Sequence, residues 1–130
     1  MNRLIAPARS VLLVVVMFFL VAAPSFAQDM AKVAPKNVKV VLDNDKVRVF
    51  EVQLKAGEKL PLHSHPSNVV IPITAGKVKT TMADGTVRDV EFKPGEARWS
   101  DPVTHSNEAV TDNHVMLVEL KDHMMMKNKK

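Results

Sequence analysis

The sequence predicts an all-β protein built as one domain. Short apolar or alternating runs follow one another at the spacing of sandwiches and barrels, turn-forming residues fall between them, and nothing beyond residue 27 keeps a helical period. Residues 28–130 suffice for one hydrophobic core and are too few for two.

Taken in order, residues 1–27 read as a secretory signal peptide. Arg3 and Arg9 form a basic start, Val11 to Ala23 is an uncharged apolar run, and Ser25 and Ala27 are small residues that place cleavage before Gln28. The run is shorter than the roughly 20 residues of a spanning helix, so no stable membrane anchor is expected after cleavage. The expected location is periplasmic or secreted. Residues 28–37 form an N-terminal extension, residues 38–121 the folded domain, and residues 122–130 a C-terminal tail.

The strand candidates are Val38 to Leu42, Val47 to Leu54, Val69 to Thr74, Lys77 to Met82, Thr86 to Phe92, Ala97 to Ser100 and His114 to Leu120. Between them lie "DND", two "AG" pairs, "ADG", "KPG", "DP" and "TDN", where Gly, Asn and Asp are expected to take positive φ and Pro to fix the chain ahead of them. "TTMADGTVRDVEF" is the clearest hairpin. Pro72, inside "VVIPIT", lacks a ladder donor and implies an edge or a bulge there. Helix is confined to short pieces near the ends.

Eighteen basic residues stand against fourteen acidic ones, and no basic block is interleaved with aromatics, so nucleic acid is not an expected partner. There is no cysteine. The domain must stand without disulfides, and a metal site must draw on His, carboxylate or Met.

The chemistry-bearing stretch is "LPLHSHPSNVV", Leu60 to Val70. On an extended chain His63 and His65 face one side with Cα atoms about 7 Å apart, close enough for both rings to reach one ion. Alone, the spacing fits equally two solvated residues at a strand end. The surrounding pattern resembles the two motifs of the cupin family, small β-barrels that commonly hold a divalent metal. "GEKLPLHSHPSNVVIPITAG" aligns Gly57, His63, His65 and Gly76 with the first motif, and "KPGEARWSDPVTHSN" aligns Pro94, Gly95, Pro102 and His105 with the second.

The resemblance implies a double-stranded β-helix, or jelly roll, of the RmlC-like type. It also implies one divalent ion (Fe, Mn, Zn, Ni or Cu) on His63, His65 and His105. The family's usual Glu ligand falls at Val69, counting three residues beyond His65, and its Asn at Ala109. Two outcomes stand open: a three-histidine site without a carboxylate, as in some thiol dioxygenases of the family, or a vestigial site filled by Val69, Ile71 and Ile73. Val69, Arg98 and Trp99 are the expected pocket residues, with Arg98 placed to meet an anionic ligand. The implied partner is a small molecule, and a homodimer is compatible with the family. If the chain is an enzyme, the implied class is a metal-dependent, dioxygenase-like oxidoreductase; a binding module and a structural barrel are the alternatives. Glu108 is expected on the opposite strand face, His114 at the surface, and His123 with Met124 to Met126 offers soft ligands at the tail.

Overall fold

The computed structural model describes residues 28–121. One short helix, α1 (Met30–Val33), precedes nine strands: β1 (Val38–Asp43), β2 (Val47–Leu54), β3 (Lys59–His65), β4 (Asn68–Pro72), β5 (Gly76–Met82), β6 (Val87–Phe92), β7 (Arg98–Ser100), β8 (Val103–Ala109) and β9 (Asn113–Leu120). They form two antiparallel sheets, ordered β1-β2-β9-β4-β7 and β3-β8-β5-β6. The proposed leader and the tail with His123 and Met124 to Met126 lie outside the described residues.

Period-two alternation decides which side chains meet between the sheets. On β9, Asn113, Val115, Leu117 and Glu119 are buried while His114, Met116 and Val118 are only partly covered. Their partners Leu54, Val52 and Phe50 on β2 bury the same face, and with Leu60, Val38 and Ala109 they make the core. Fully removing such side chains from water stabilises the fold by roughly 1.5–3 kcal/mol each.

Asp29 starts α1 by accepting the Ala31 N–H at 3.0 Å, and its other oxygen takes the Arg48 guanidinium at 2.7 Å. The helix then packs on β1 and β3 and inserts Met30, 2% exposed, into the core. Gln28 pairs with His63 in an isolated parallel bridge, and its carbonyl accepts the Ser64 N–H, so the extension is stitched to β3.

The β5–β6 hairpin closes as expected, with Gly85 at φ 88°. Positive φ among the described residues is confined to Gly57, Gly85 and Gly95, so Asn and Asp do not supply it as the turn pattern suggested. Strand β4 lies inside its sheet, yet β7 pairs only with Asn68–Val70. Pro72 sits beyond that pairing, which is the local edge its missing donor requires.

Candidate metal centre

Strand β3 would not aim its histidines correctly if it were regular. Leu60 pairs with Asn107 and His63 with His105, so three steps on β3 match two on β8, and the extra residue makes a bulge at Pro61 and Leu62. The bulge lets Leu60 and His63 both point inward, and from His63 ordinary alternation brings His65 to the same side. It also exposes Leu62, 44% accessible. On the outer face the Ser64 and Thr104 hydroxyls meet at 2.5 Å and tie the two histidine strands together.

His105 lies directly across the ladder from His63, so two neighbouring strands bring all three rings into one cluster. Ring centroids are 4.8 Å apart for His63–His65 and His63–His105, and 5.4 Å for His65–His105, all edge to face. Candidate ligand nitrogens fall within 4.8 Å of one another. Tetrahedral bonds of about 2.0–2.1 Å set ligand nitrogens about 3.4 Å apart, so the widest pair must draw in by up to about 1.4 Å to close on one ion.

The hydrogen bonds fix which nitrogens face inward. His63 Nδ1 is 2.6 Å from the Pro61 carbonyl, which only accepts, so Nδ1 carries the proton and donates. His65 Nδ1 donates in the same way to Glu119 Oε1 at 2.7 Å. Nε2 of each neutral ring is then left with a lone pair. His63 Nε2 is buried and has no hydrogen-bond partner. A buried acceptor left without a partner costs about 1–3 kcal/mol, and an ion at the cluster centre would satisfy it.

Burial pushes His63 down to about 4, with the neighbouring His65 adding to the effect and the Pro61 hydrogen bond opposing it. Burial also pushes His105 down to about 3, reinforced by His63 and His65. Both are neutral at pH 7, the form that binds metal.

A cavity of about 380 Å³ opens from the cluster between the sheets. Its walls include Val70, Val78, Val90, Phe92 and Val103, with Thr80, Asn107, Arg88 and Arg98 supplying polar groups. Among the described residues no Asp or Glu lines it.

One expectation needs correction. Val69 does not line the cavity: Asn68, Val70 and Pro72 pair with the inward residues Glu119, Leu117 and Val115, which sends Val69 and Ile71 to the outer face. Val70, with four residues rather than three between it and His65, is the inward position, and it too lacks a ligand atom. Glu119 stands directly behind His65 as the partner of its Nδ1, outside the three-histidine cluster. The sequence signal was a Glu continuing the inward series Val115, Leu117 along β9.

Arg98 lines the cavity, whereas Trp99 is 60% exposed at its rim and donates its indole N–H to Asp101 at 3.0 Å. Glu108 pairs with Lys59 away from the cluster. His114 bonds Glu51 at 2.9 Å outside the cavity. Asn68, 1% exposed, donates to the Pro66 carbonyl and holds the loop after the histidines.

Comparison with solved structures decides the architecture. A cupin domain from Bordetella pertussis Tohama I is 24% identical with a TM-score of 0.60, over 65% of this chain and 92% of that one. The chain has the cupin fold. An RmlC-like cupin protein from Desulfovibrio desulfuricans (22% identity, TM-score 0.51, 64% of this chain and 79% of that one) agrees with this. So does an RmlC-like cupin with a double-stranded β-helix from Methanocaldococcus jannaschii (16%, 0.53, 69% and 84%). No family model matches the sequence, and no curated protein matches it significantly. The cluster is built by β3 and β8, and the inward residue of β4 is Val70.

Proposed function

We propose that this is a secreted cupin protein that holds one divalent metal ion on His63, His65 and His105 and presents it to a small anionic molecule in the adjoining cavity. The observation that supports the metal is the buried, partnerless Nε2 of His63 in a cluster of three imidazoles. Bound there, the ion would act as a Lewis acid or, if redox-active, as a seat for oxygen beside substrate. The chain's own contribution is to hold the rings. The Pro61 carbonyl and Glu119 keep the protons of His63 and His65 on Nδ1. Three neutral imidazoles leave a divalent ion its full +2 charge, softened by one neighbouring carboxylate, which favours an anionic ligand.

A non-catalytic binding module is the second reading, favoured by the lining itself. Apart from the histidines and two arginines, the cavity wall carries no ionisable side chain able to pass a proton to substrate. Elemental analysis of untagged protein after reconstitution with Fe(II), Mn(II), Zn(II), Ni(II) and Cu(II) tests the metal. About one equivalent is expected, and less than about a tenth with every ion would refute the site. Oxygen uptake with candidate anionic and thiol substrates separates the two readings: turnover lost in His105→Ala supports the oxygenase-like enzyme, and no turnover supports the binding module.

A further inference from the structure

The two sheets leave two seams, because no pairing joins β1 to β3 or β6 to β7. Helix α1 packs on β1 and β3, and Met30 fills that side. Among the described residues no helix covers the β6–β7 seam, and the inward positions of its two edge strands carry cations. Arg88, itself solvent-exposed, lies on the same side as its ladder partner Thr80, and the half-buried Arg98 on that of Val70; all four line the cavity. The Arg98 guanidinium reaches across the seam to within 5.8 Å of the Phe92 ring centre.

We propose that this seam is an anion-binding mouth, in which Arg88 and Arg98 hold the acidic head of a small amphipathic molecule whose apolar body lies against Val70, Val90 and Phe92. The proposal deepens the functional reading above. It rests on that reading's cavity and not on its metal.

Charge makes the assignment. The lining contains two guanidiniums and no carboxylate, so it has one sign, and low-dielectric walls focus such a field on an entering ligand. Arg88 makes no ion pair within 4.0 Å among the described residues. Arg98 meets Glu96 at 3.2 Å, but the pair is solvent-exposed, and an exposed pair holds weakly enough for a ligand to displace it. Guanidinium forks match planar carboxylates, and the apolar wall behind them matches a short hydrocarbon body. At about 380 Å³ the cavity is near the small end of the roughly 300–1,000 Å³ range of ligand pockets, which excludes bulky ligands.

The test is calorimetric binding of hexanoate and its neutral amide, hexanamide, at low ionic strength, to EDTA-treated and to zinc-reconstituted protein. In both forms hexanoate should bind about tenfold or more tightly than hexanamide. Arg88→Gln and Arg98→Gln should each lower hexanoate affinity about fivefold to tenfold and leave hexanamide within twofold, while Lys79→Gln, an exposed cation on the outer face of β5, should change neither. Arg98→Lys, keeping charge without the fork, should fall between wild type and Arg98→Gln, and melting curves verify that each variant is folded. No hexanoate binding, equal binding of both probes, or an equal loss in Lys79→Gln overturns the proposal. A preference seen only with zinc also overturns it, because the ion would then hold the anion. Failure of zinc to bind refutes the metal reading and leaves the anion preference of the EDTA-treated protein as the measure of this one.

Discussion

Proton competition for the metal gives the sharpest prediction, because burial has removed most of it. An ordinary imidazole titrating near 6.5 is about 90% free at pH 7.5 and about 9% free at pH 5.5, so two of them as ligands would weaken metal binding about 100-fold over that interval. His63 at about 4 and His105 at about 3 stay almost wholly unprotonated at pH 5.5, and their joint contribution should be a few per cent. Two of the three candidate ligand rings thus drop out of proton competition, and a single further ring can contribute at most one proton. Zinc affinity measured by calorimetry from pH 7.5 to 5.5, in buffers of different ionisation enthalpy that count released protons, should therefore show a slope of log K against pH no greater than one. A slope approaching two or three would mean that the rings titrate as solvated histidines, and the cluster would not be the buried, preorganised site described above.

The same shifts make metal-free protein acid-sensitive. For a histidine whose folded value is depressed, the unfolded chain binds more protons between the folded value and about 6.5, so stability falls as pH drops through that window. His63 alone should cost about 3 kcal/mol between pH 7 and pH 4, read from urea titrations; constant stability over pH 7 to 4 would contradict it. Glu119→Gln keeps an acceptor for His65 Nδ1 but removes the charge, and should weaken zinc binding about 10-fold to 100-fold with the melting temperature little changed; unaltered affinity would make the contact purely structural. Val70→Glu should tighten zinc binding by adding an inward carboxylate, while Val69→Glu, on the outer face, should leave it within twofold; the reverse result would overturn the register of β4.

Most of the barrel could be read from the sequence because most strands bury one apolar face. The two that escaped plain strand assignment, β3 and β8, are the ones that carry the histidines. "KLPLHSH" and "VTHSNEA" show no hydrophobic alternation, because their inward positions include the polar His63, His65, His105 and Asn107. Period-two hydrophobicity detects burial against a greasy core and fails where the buried face is chemically active. The bulge at Pro61 and Leu62 adds a second obstacle, since it breaks the count that alternation needs.

Counting also misplaced β4. A spacing of three residues beyond His65 pointed to Val69, and a one-residue error in a strand turns every side chain to the other face. Register there is set by pairing with β9, from Asn68 opposite Glu119 to Pro72 opposite Val115, and no spacing within β4 reveals it. The same pairing explains how the carboxylate escaped notice. It was sought as a ligand close in sequence to the histidines, and it is supplied by the strand beside β4, where it grips the back of His65. A Glu that interrupts an otherwise apolar inward series has to be held by something, because a buried carboxylate without a partner costs several kcal/mol. In a chain where two nearby histidines are already candidates for an ion, that requirement points from Glu119 to one of their Nδ1 atoms. The clue was therefore present in "HVMLVEL" and needed only the inward face of β9 to become legible.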